Sequence, residues 1–288
     1  MCRYATNRLG RDITAHEINV WRCDMKLVSP ETTDTMLVDR AEGRNFIHNY
    51  FGVTQNLGVG AQAYLVDMPD EGSHISPHYH DVDQYQVVVA GSGTIGPHPL
   101  RPVTFQYADA FTPYGPIIAH EDGLSFYTLR MSPSAGHYDM PAARHLMKAR
   151  PGRGFAGAFD LKGDLPSGEV VLEVLEAPDT DGVGVCGLRL GPNTSGSGMD
   201  ADAGGQYCIV CAGSVIYADT HYPPLSLILV EAGDPTPELT AGGEGAEILI
   251  VQFPRATARL GSDPAQLATR DMKALYYLPE KWLREDAE

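Results

Sequence analysis

The sequence predicts an all-β protein made of two related antiparallel barrels. From Gly58 onward, short stretches rich in valine, isoleucine, leucine and tyrosine alternate with turns rich in glycine, proline and aspartate. Many short strands at this spacing are typical of antiparallel sandwiches and barrels. The segment 84–92 recurs as 206–214, and the same offset of 122 residues aligns 119–123 with 241–245 without a gap. A repeat of domain length indicates that one barrel has been duplicated.

The 288 residues are enough for two ordinary domains with their own cores. We expect an N-terminal arm, a first barrel, a linker, a second barrel and a helical tail. The linker ends with the helix-breaking segment 151–154, and the tail helix begins with Asp263 as N-cap and Pro264 in the first turn. The predicted boundaries are, in order, 1–56, 57–138, 139–154, 155–256 and 257–288.

The composition is that of a globular protein with no affinity for polyanions. Hydrophobic residues make up 43% of the chain, charged residues make up 20%, and the formal net charge is −16. Nucleic acids and anionic membranes bind clustered lysine and arginine, so neither is an expected partner. No apolar run reaches the length of a signal sequence or the roughly 20 residues of a membrane span. We therefore expect a cytoplasmic protein.

The cysteines support a reducing compartment. Five of them, an odd number, are scattered along the chain, which does not suit a disulfide framework. Cys208 and Cys211 form a Cys-x-x-Cys pair inside a predicted strand, where positions three apart face opposite sides. Core packing is therefore favoured over a redox or zinc motif.

Two histidines provide the first candidate site. His78 and His80 stand one residue apart, and in an extended strand residues i and i+2 point to the same face. Two imidazoles on one face can chelate a metal ion, although two neighbouring histidines can also be satisfied polar groups.

The spacing around these histidines resembles the first signature of the cupin superfamily. That signature is Gly, five residues, His-x-His, three or four residues, Glu, six residues, Gly. Gly72, His78, His80 and Gly91 fall in register with it, and Gln84 stands where the family has glutamate.

The second cupin signature is matched less closely. Pro113-Tyr-Gly115 resembles its Pro-x-Gly element, but His120 follows two residues later than in the family, and Leu124 stands where asparagine is usual. The resemblance implies that His120 is the third metal ligand. It also implies a duplicated cupin, or bicupin, built of double-stranded β-helix barrels of the jelly-roll type.

The repeat limits the metal site to the first barrel. At the offset of 122 residues, His78, His80 and His120 align with aspartate, aspartate and glycine. We expect one divalent metal ion per chain, with Fe(II) favoured and Zn, Mn or Ni as alternatives. The barrel without histidines keeps Gln206 at the position of Gln84, which favours a structural role for this amide over direct metal binding.

Gln84, Gln86 and Arg130 are the candidate catalytic residues. Gln84 lines the cavity and hydrogen-bonds to water or substrate if it does not bind the metal. Gln86 shares its strand face. Arg130 is an inward carboxylate anchor if Leu124 of the same strand points inward, but a solvated arginine is the more common arrangement.

The ligand set suggests the reaction. Three neutral imidazoles without a carboxylate leave the charge of a divalent ion uncompensated, and they resemble the centres of gentisate-type and related non-haem iron cupins. The resemblance implies an Fe(II) dioxygenase acting on a small oxygen-chelating substrate, aromatic or carboxylate. A redox-neutral isomerase, lyase or decarboxylase remains open, and so does a non-catalytic binding protein. We expect a homodimer.

Overall fold

The computed structural model describes residues 25–40, 42–52, 60–147, 153–163 and 165–255. Within these ranges the regular structure is almost entirely strand, with two short 3₁₀ helices at Pro30–Thr32 and Ala142–Leu146. No helix in them combines the length and the apolar character needed to cross a membrane. The tail helix predicted from Asp263 lies outside the described residues.

The strands of the described chain are, in order, β1 (Lys26–Val28), β2 (Asp34–Arg40), β3 (Gly43–Phe51), β4 (Gln62–Met68), β5 (His74–Ile75), β6 (His78–Tyr79), β7 (Gln84–Ile95), β8 (His98–Leu100), β9 (Thr104–Ala108), β10 (Ile117–Arg130), β11 (Tyr138–Asp139), β12 (Gly154–Ala158), β13 (Val170–Glu176), β14 (Gly184–Leu190), β15 (Ser195–Ser197), β16 (Gly205–Tyr217), β17 (Thr220–Tyr222), β18 (Leu227–Glu231) and β19 (Glu238–Gln252).

Two large sheets and one small one contain these strands. The first sheet has the order β12-β9-β7-β10-β4-β3-β2, with β5 beside β10 and β8 beside β7. The second has the order β1-β18-β16-β19-β14-β13, with β15 beside β19 and β17 beside β16. β6 and β11 form the small third sheet. All of the strand pairs are antiparallel, as the sequence predicts for an all-β barrel protein.

The second sheet repeats the first at the predicted offset. β14 and β17 begin and end 122 residues after β4 and β8, and the long pair β16 and β19 corresponds to β7 and β10. The duplication predicted from the sequence is therefore present in the strand register.

Glycines at the bulge of the long pair are also repeated. A Cβ atom on Gly91 would lie 2.2 Å from the carbonyl oxygen of Gly123, and one on Gly213 would lie 2.0 Å from that of Gly245. All four glycines have positive φ, which other residues rarely adopt. The family-like Gly91 is thus explained by close backbone approach at a bulge.

Each barrel has an apolar interior, and a third apolar cluster joins the two barrels. The joining cluster draws side chains from both sheets, among them Tyr85, Tyr127, Tyr207 and Phe253. The second barrel is filled by its own cluster, which includes Cys208 with no exposed surface. The core-packing role predicted for Cys208 is confirmed.

The barrels also exchange edge strands. β1, which precedes the first barrel in the chain, pairs with β18 of the second sheet, whereas β12 pairs with β9 of the first sheet. The predicted boundary at residue 155 assigns most of β12 to the second barrel, but its hydrogen bonds join it to the first. The predicted arm likewise contributes β2 and β3 to the first sheet. Each exchanged strand covers an edge that would otherwise be open.

Two buried tyrosines form matching hydrogen bonds across the interface. Tyr85 donates to the carbonyl oxygen of Gln252 over 3.0 Å, and Tyr207 donates to that of Arg130, also over 3.0 Å. Tyr207 and Gln252 lie 122 residues after Tyr85 and Arg130. The duplicated barrels therefore face each other through equivalent surfaces.

We expect Tyr207→Phe to lower the free energy of unfolding by about 1–2 kcal/mol, because the carbonyl oxygen of Arg130 loses a buried hydrogen bond. Urea denaturation followed by fluorescence measures the change. Tyr222→Phe, on the outer strand β17, is the control and should change stability by less than about 0.5 kcal/mol. Equal effects of the two substitutions would show that the interface bond contributes nothing.

Candidate metal and substrate site

A cavity of about 360 Å³ opens into the first barrel. His78, His80 and His137 lie on its wall, with Tyr114 and Arg130 close to them. In the described part of the chain, none of the lining residues is an aspartate or a glutamate. Arg130 is therefore the one fixed charge among the described lining residues.

The strand β6 places the two predicted histidines together. Their rings meet edge to face with centroids 5.2 Å apart. The Nδ1 atom of His78 lies 2.7 Å from the carbonyl oxygen of Ser76, and that of His80 lies 2.7 Å from the carbonyl oxygen of Gly136. A carbonyl can only accept, so each Nδ1 carries the proton and each Nε2 keeps its lone pair. This is the tautomer that metal-binding histidines use.

A buried carboxylate holds the loop behind His80. Asp81 accepts hydrogen bonds from the hydroxyl of Ser134 and from the backbone N–H of Ala135. The Ser134 hydroxyl in turn lies 3.1 Å from Nδ1 of His80. The loop that orients the imidazole is thus fixed by a fully buried side chain, as expected for a ligand held in one orientation.

Both histidines are neutral near pH 7. Burial, followed by the neighbouring His137, lowers the pKa of His78 to about 3. Burial, followed by the charge of Arg130, places the pKa of His80 well below its usual value. The Nε2 lone pairs are therefore available without the loss of a proton.

The structure does not bring His120 to this cavity. Four residues of β10, 120–123, stand against the single residue Ser92 of β7, because the register shifts between Ala119 and Leu124. His120 lies in this bulge with its side chain exposed. The bulge thus carries His120 away from the cavity.

His137 occupies the position beside the pair instead. Its ring stacks on that of His78 with centroids 3.9 Å apart, and it lies 5.6 Å from the ring of His80. The His137 side chain is 32% exposed, at the rim of the cavity, and its Nδ1 lies 3.1 Å from a carboxylate oxygen of Asp139. β11 positions it, because Asp139 pairs with His78 of β6.

The three imidazoles are neighbours without forming a coordination set. Across the described ranges, no group of three or more His, Cys, Asp or Glu side chains is placed so that it could hold a metal ion. The stacking of His137 on His78 accounts for this, since parallel rings do not direct their nitrogens at one point. Of the three, His78 and His80 have the donor chemistry that fits a divalent metal.

Gln84 lies at the centre of a buried hydrogen-bond network. Its Oε1 accepts from Nε and Nη2 of Arg130 over 3.1 and 2.9 Å, and its Nε2 donates to the hydroxyl of Tyr114. The Tyr114 ring in turn lies 4.5 Å from that of His78. Gln84, which stands where the family has glutamate, thus connects the guanidinium of Arg130 to the ring of His78 through Tyr114.

Arg130 points inward and is 2% exposed. Besides Gln84 it donates from Nη1 to Oε1 of Gln62 over 2.8 Å, and it lies over the ring of Tyr64. Both acceptors are neutral amides. Because buried guanidinium groups are normally paired with carboxylates, this arrangement leaves a cation ready for an anionic ligand.

Gln86 also lines the cavity, as predicted from the face it shares with Gln84. It is 7% exposed, and its Oε1 atom has no hydrogen-bond partner among the described residues. Thr128 lies directly opposite it on β10. An unpaired buried acceptor costs free energy unless a ligand or water satisfies it.

Three polar neighbours were not predicted as site residues from the sequence. These residues are Tyr114, Gln62 and His137. Gln62 reaches the site as the register partner of Arg130, and the repeat does not mark it because a glycine stands 122 residues later. No local motif marks His137, since it reaches the site through β11.

Comparisons with known proteins support the architecture. No protein-family model matches the chain, and no curated protein matches it in sequence. A proposed dioxygenase of Nostoc punctiforme is 12% identical with a TM-score of 0.55, over 82% of this chain and 85% of its own. The pirin YhhW of Escherichia coli in complex with nickel(II) is 10% identical with a TM-score of 0.54, over 80% and 99%.

An oxalate decarboxylase of Lactobacillus farciminis, crystallised as a formate complex, is 11% identical with a TM-score of 0.51, over 88% of this chain and 96% of its own. At these identities the similarity shows the fold. The chain has the duplicated cupin fold, as its cupin-like histidine segment implied.

We expect Arg130→Gln to raise the free energy of unfolding of the ligand-free protein by about 1 kcal/mol, because it removes a buried cation that no carboxylate balances. The fold tolerates two glutamines at positions 84 and 130, because the second barrel has Gln206 and Gln252 at the equivalent positions. Gln206 donates a hydrogen bond to Gln252 over 2.7 Å. Urea denaturation provides the measurement.

The matched control is Arg189→Gln. Arg189 is equally buried but pairs with Glu247 at 2.9 Å and with Glu173 at 2.6 Å. Its loss should cost about 3–5 kcal/mol, since it leaves buried carboxylate charge behind. A comparable loss for Arg130→Gln would mean that Arg130 is a structural cation.

Proposed function

We propose that the first barrel binds one divalent metal ion through His78 and His80 and acts as an enzyme on a small substrate. The observation that supports this is the pair of neutral imidazoles in the cavity. Each of them donates a hydrogen bond from its Nδ1–H group to a backbone carbonyl. A histidine held in this way presents Nε2 as a ligand. Bacterial pirin, which shares the fold, is described in complex with nickel(II), so a barrel of this kind can hold such an ion.

The third protein ligand in this proposal is His137, once its ring turns away from the stack on His78 so that its Nε2 atom faces the same point as the pair. It is the imidazole closest to the pair and lies at the rim of the same cavity. His120, implied by the second signature, is exposed on the bulge of β10 and lies outside the cavity lining. We therefore assign His120 no role at the metal.

The finer proposal is a non-haem Fe(II) dioxygenase. Its support is the neutral donor set, because Gln84 replaces the family's glutamate and is already hydrogen-bonded to Arg130 and Tyr114. Bound Fe(II) would supply redox chemistry with dioxygen and a chelating position for substrate oxygen atoms. Zn, Mn and Ni are alternative ions, because ligand affinity alone does not select the metal.

The residues of the chain have distinct roles in this proposal. Arg130 holds negative charge of the substrate beside the histidines. Gln84 fixes Arg130 and Tyr114 relative to each other through one amide. Burial raises the pKa of Tyr114, so its hydroxyl keeps its proton at neutral pH and can donate it to a substrate oxygen.

A redox-neutral lyase, isomerase or decarboxylase is the second candidate. The protonated hydroxyl of Tyr114 favours it, since it can donate a hydrogen bond to a substrate oxygen on which negative charge develops, without any redox step. An oxalate decarboxylase shares the fold. A non-catalytic binding protein would use the same cavity without needing the histidines.

We expect His78→Ala or His80→Ala to weaken binding of Fe(II) and Zn(II) by more than about 100-fold, since even residues behind a metal ligand contribute 10–100-fold. Metal analysis after equilibrium dialysis measures this, and His137→Ala should show a smaller loss. His120→Ala is the matched control and should bind like the parent chain.

The fold should survive these substitutions, because the apolar clusters of the two barrels do not depend on the metal. Melting temperatures of the metal-free variants should stay within a few degrees of the parent. A collapse of the melting temperature together with metal content would make the site structural. Loss of metal binding in His120→Ala would show that His120 is a metal ligand, as the second cupin signature implies.

The reaction class is tested by comparing protein loaded with Fe(II) and with Zn(II), each with and without dioxygen. Catechols, hydroxybenzoates, diketones and thiols form the substrate panel, and the readouts are oxygen consumption and product formation by chromatography. We expect turnover only with Fe(II) and dioxygen. Equal product formation by the anaerobic zinc form would reject the dioxygenase and support the redox-neutral enzyme.

A further inference from the structure

The strand register divides the interior of the first barrel into layers. Gln86 lies opposite Thr128, which lies opposite Tyr64, so the three side chains share one face and one level. Arg130 and its register partner Gln62 lie two residues away along the strands. Two residues of strand span about 7 Å. A ligand at Arg130 therefore reaches Gln86 within the length of a few bonds.

The next layer on the other side is apolar. Val88, Phe126, Val66 and Ile47 are successive register partners across β7, β10, β4 and β3. All four belong to the apolar cluster of the first barrel, and Ile47, Val66 and Phe126 line the cavity. The lining of the cavity thus changes from the charged Arg130, through the amide of Gln86, to an apolar layer at the other end.

Arg130 retains donors for a ligand. A guanidinium has five N–H groups, and the hydrogen bonds to Gln84 and Gln62 use one each on Nε, Nη1 and Nη2. One N–H remains on each terminal nitrogen. N–H groups of a guanidinium form strong, charge-assisted hydrogen bonds to carboxylate oxygens.

Gln86 supplies the complementary group. Its Oε1 atom is buried and without a partner in the described structure, as is Oδ1 of Asn45 further along the cavity. Both are acceptors, so they need donors that Arg130 does not provide at that distance. A hydroxyl group on the ligand is the donor that fits next to a carboxylate.

We infer that the cavity recognises a small hydroxycarboxylate with an apolar body, its carboxylate on Arg130, its hydroxyl on Gln86 and its hydrocarbon part against Phe126, Val66 and Ile47. This inference rests on the proposed function because it concerns the same cavity. It names the substrate class, which the metal ligands leave open.

Two matched sets of probes test the inference by calorimetric titration. One set is mandelate, phenylacetate and mandelamide, and the other is 2-hydroxy-4-methylpentanoate, 4-methylpentanoate and the corresponding hydroxyamide. In each set the second compound lacks the hydroxyl group of the first, and the third keeps the hydroxyl group but lacks the negative charge. In at least one set we expect the hydroxy acid to bind severalfold tighter than the plain acid and at least tenfold tighter than the amide.

Three variants assign these preferences to residues. Arg130→Gln should remove the advantage of the acids over the amides, and Arg130→Lys should keep part of it, because the charge remains without the fork. Gln86→Leu should abolish the preference for the hydroxyl while keeping the preference for the charge. Arg101→Gln, a surface arginine paired with Asp160, is the control and should bind like the parent.

The titrations are made with chelator-treated protein, with metal-loaded protein and with His78→Ala. Binding that depends on Arg130 in all three supports the inference, even if metal binding, and with it the proposed function, fails. If metal binding is intact but Arg130→Gln binds the acids as tightly as the parent, the inference is wrong and the proposed function stands. Amides that bind as tightly as acids in both sets also overturn it.

Discussion

The pairing of β7 with β10 is the constraint on which both the fold and the site depend. Along one face of this pair the side chains fill the first barrel, from the apolar Val88 and Phe126 to the polar Gln86 and Thr128. Beyond them the same pair brings Gln84 against Arg130. A slip of one residue would turn every one of these side chains to the opposite face. The bulge at Gly91 fixes the register because it forces close backbone contact that only glycine permits.

The sequence could predict the features that repeat or lie close together in the chain. The repeat predicted two barrels, and the one-residue spacing of His78 and His80 predicted their common face. The position of His120 could not be predicted from a signature, because a bulge of four residues against one changes which way the strand faces. His137 could not be found either, since it reaches the pair through β11 from a different part of the chain.

The direction of Arg130 shows a different limit of sequence reasoning. The sequence alone favours a solvated arginine, because that is the more common arrangement of this side chain. Here neither face of that end of β10 meets water. Arg130 lines the cavity, while its neighbour Leu129 belongs to the cluster that joins the barrels. The outer face is covered by the second barrel, and the alternation of a single strand does not reveal that partner.

The second barrel shows how the same fold exists without the site. At the level of Gln86, Thr128 and Tyr64 it has Cys208, Ile250 and Cys186, which are register partners inside its apolar cluster. Three polar side chains around a cavity have thus become three apolar ones in a filled core, while the three strands that carry them keep their bounds to within one residue.

What this barrel retains is the interface. Tyr207 donates to the backbone carbonyl of Arg130, so the barrel without a site holds the strand end from which the cation of the other barrel projects. A cation with no carboxylate partner in the described chain is costly to bury. The end of β10, which carries Arg130, is therefore held by a hydrogen bond from outside the first barrel, and Tyr207 of the duplicated barrel donates that bond.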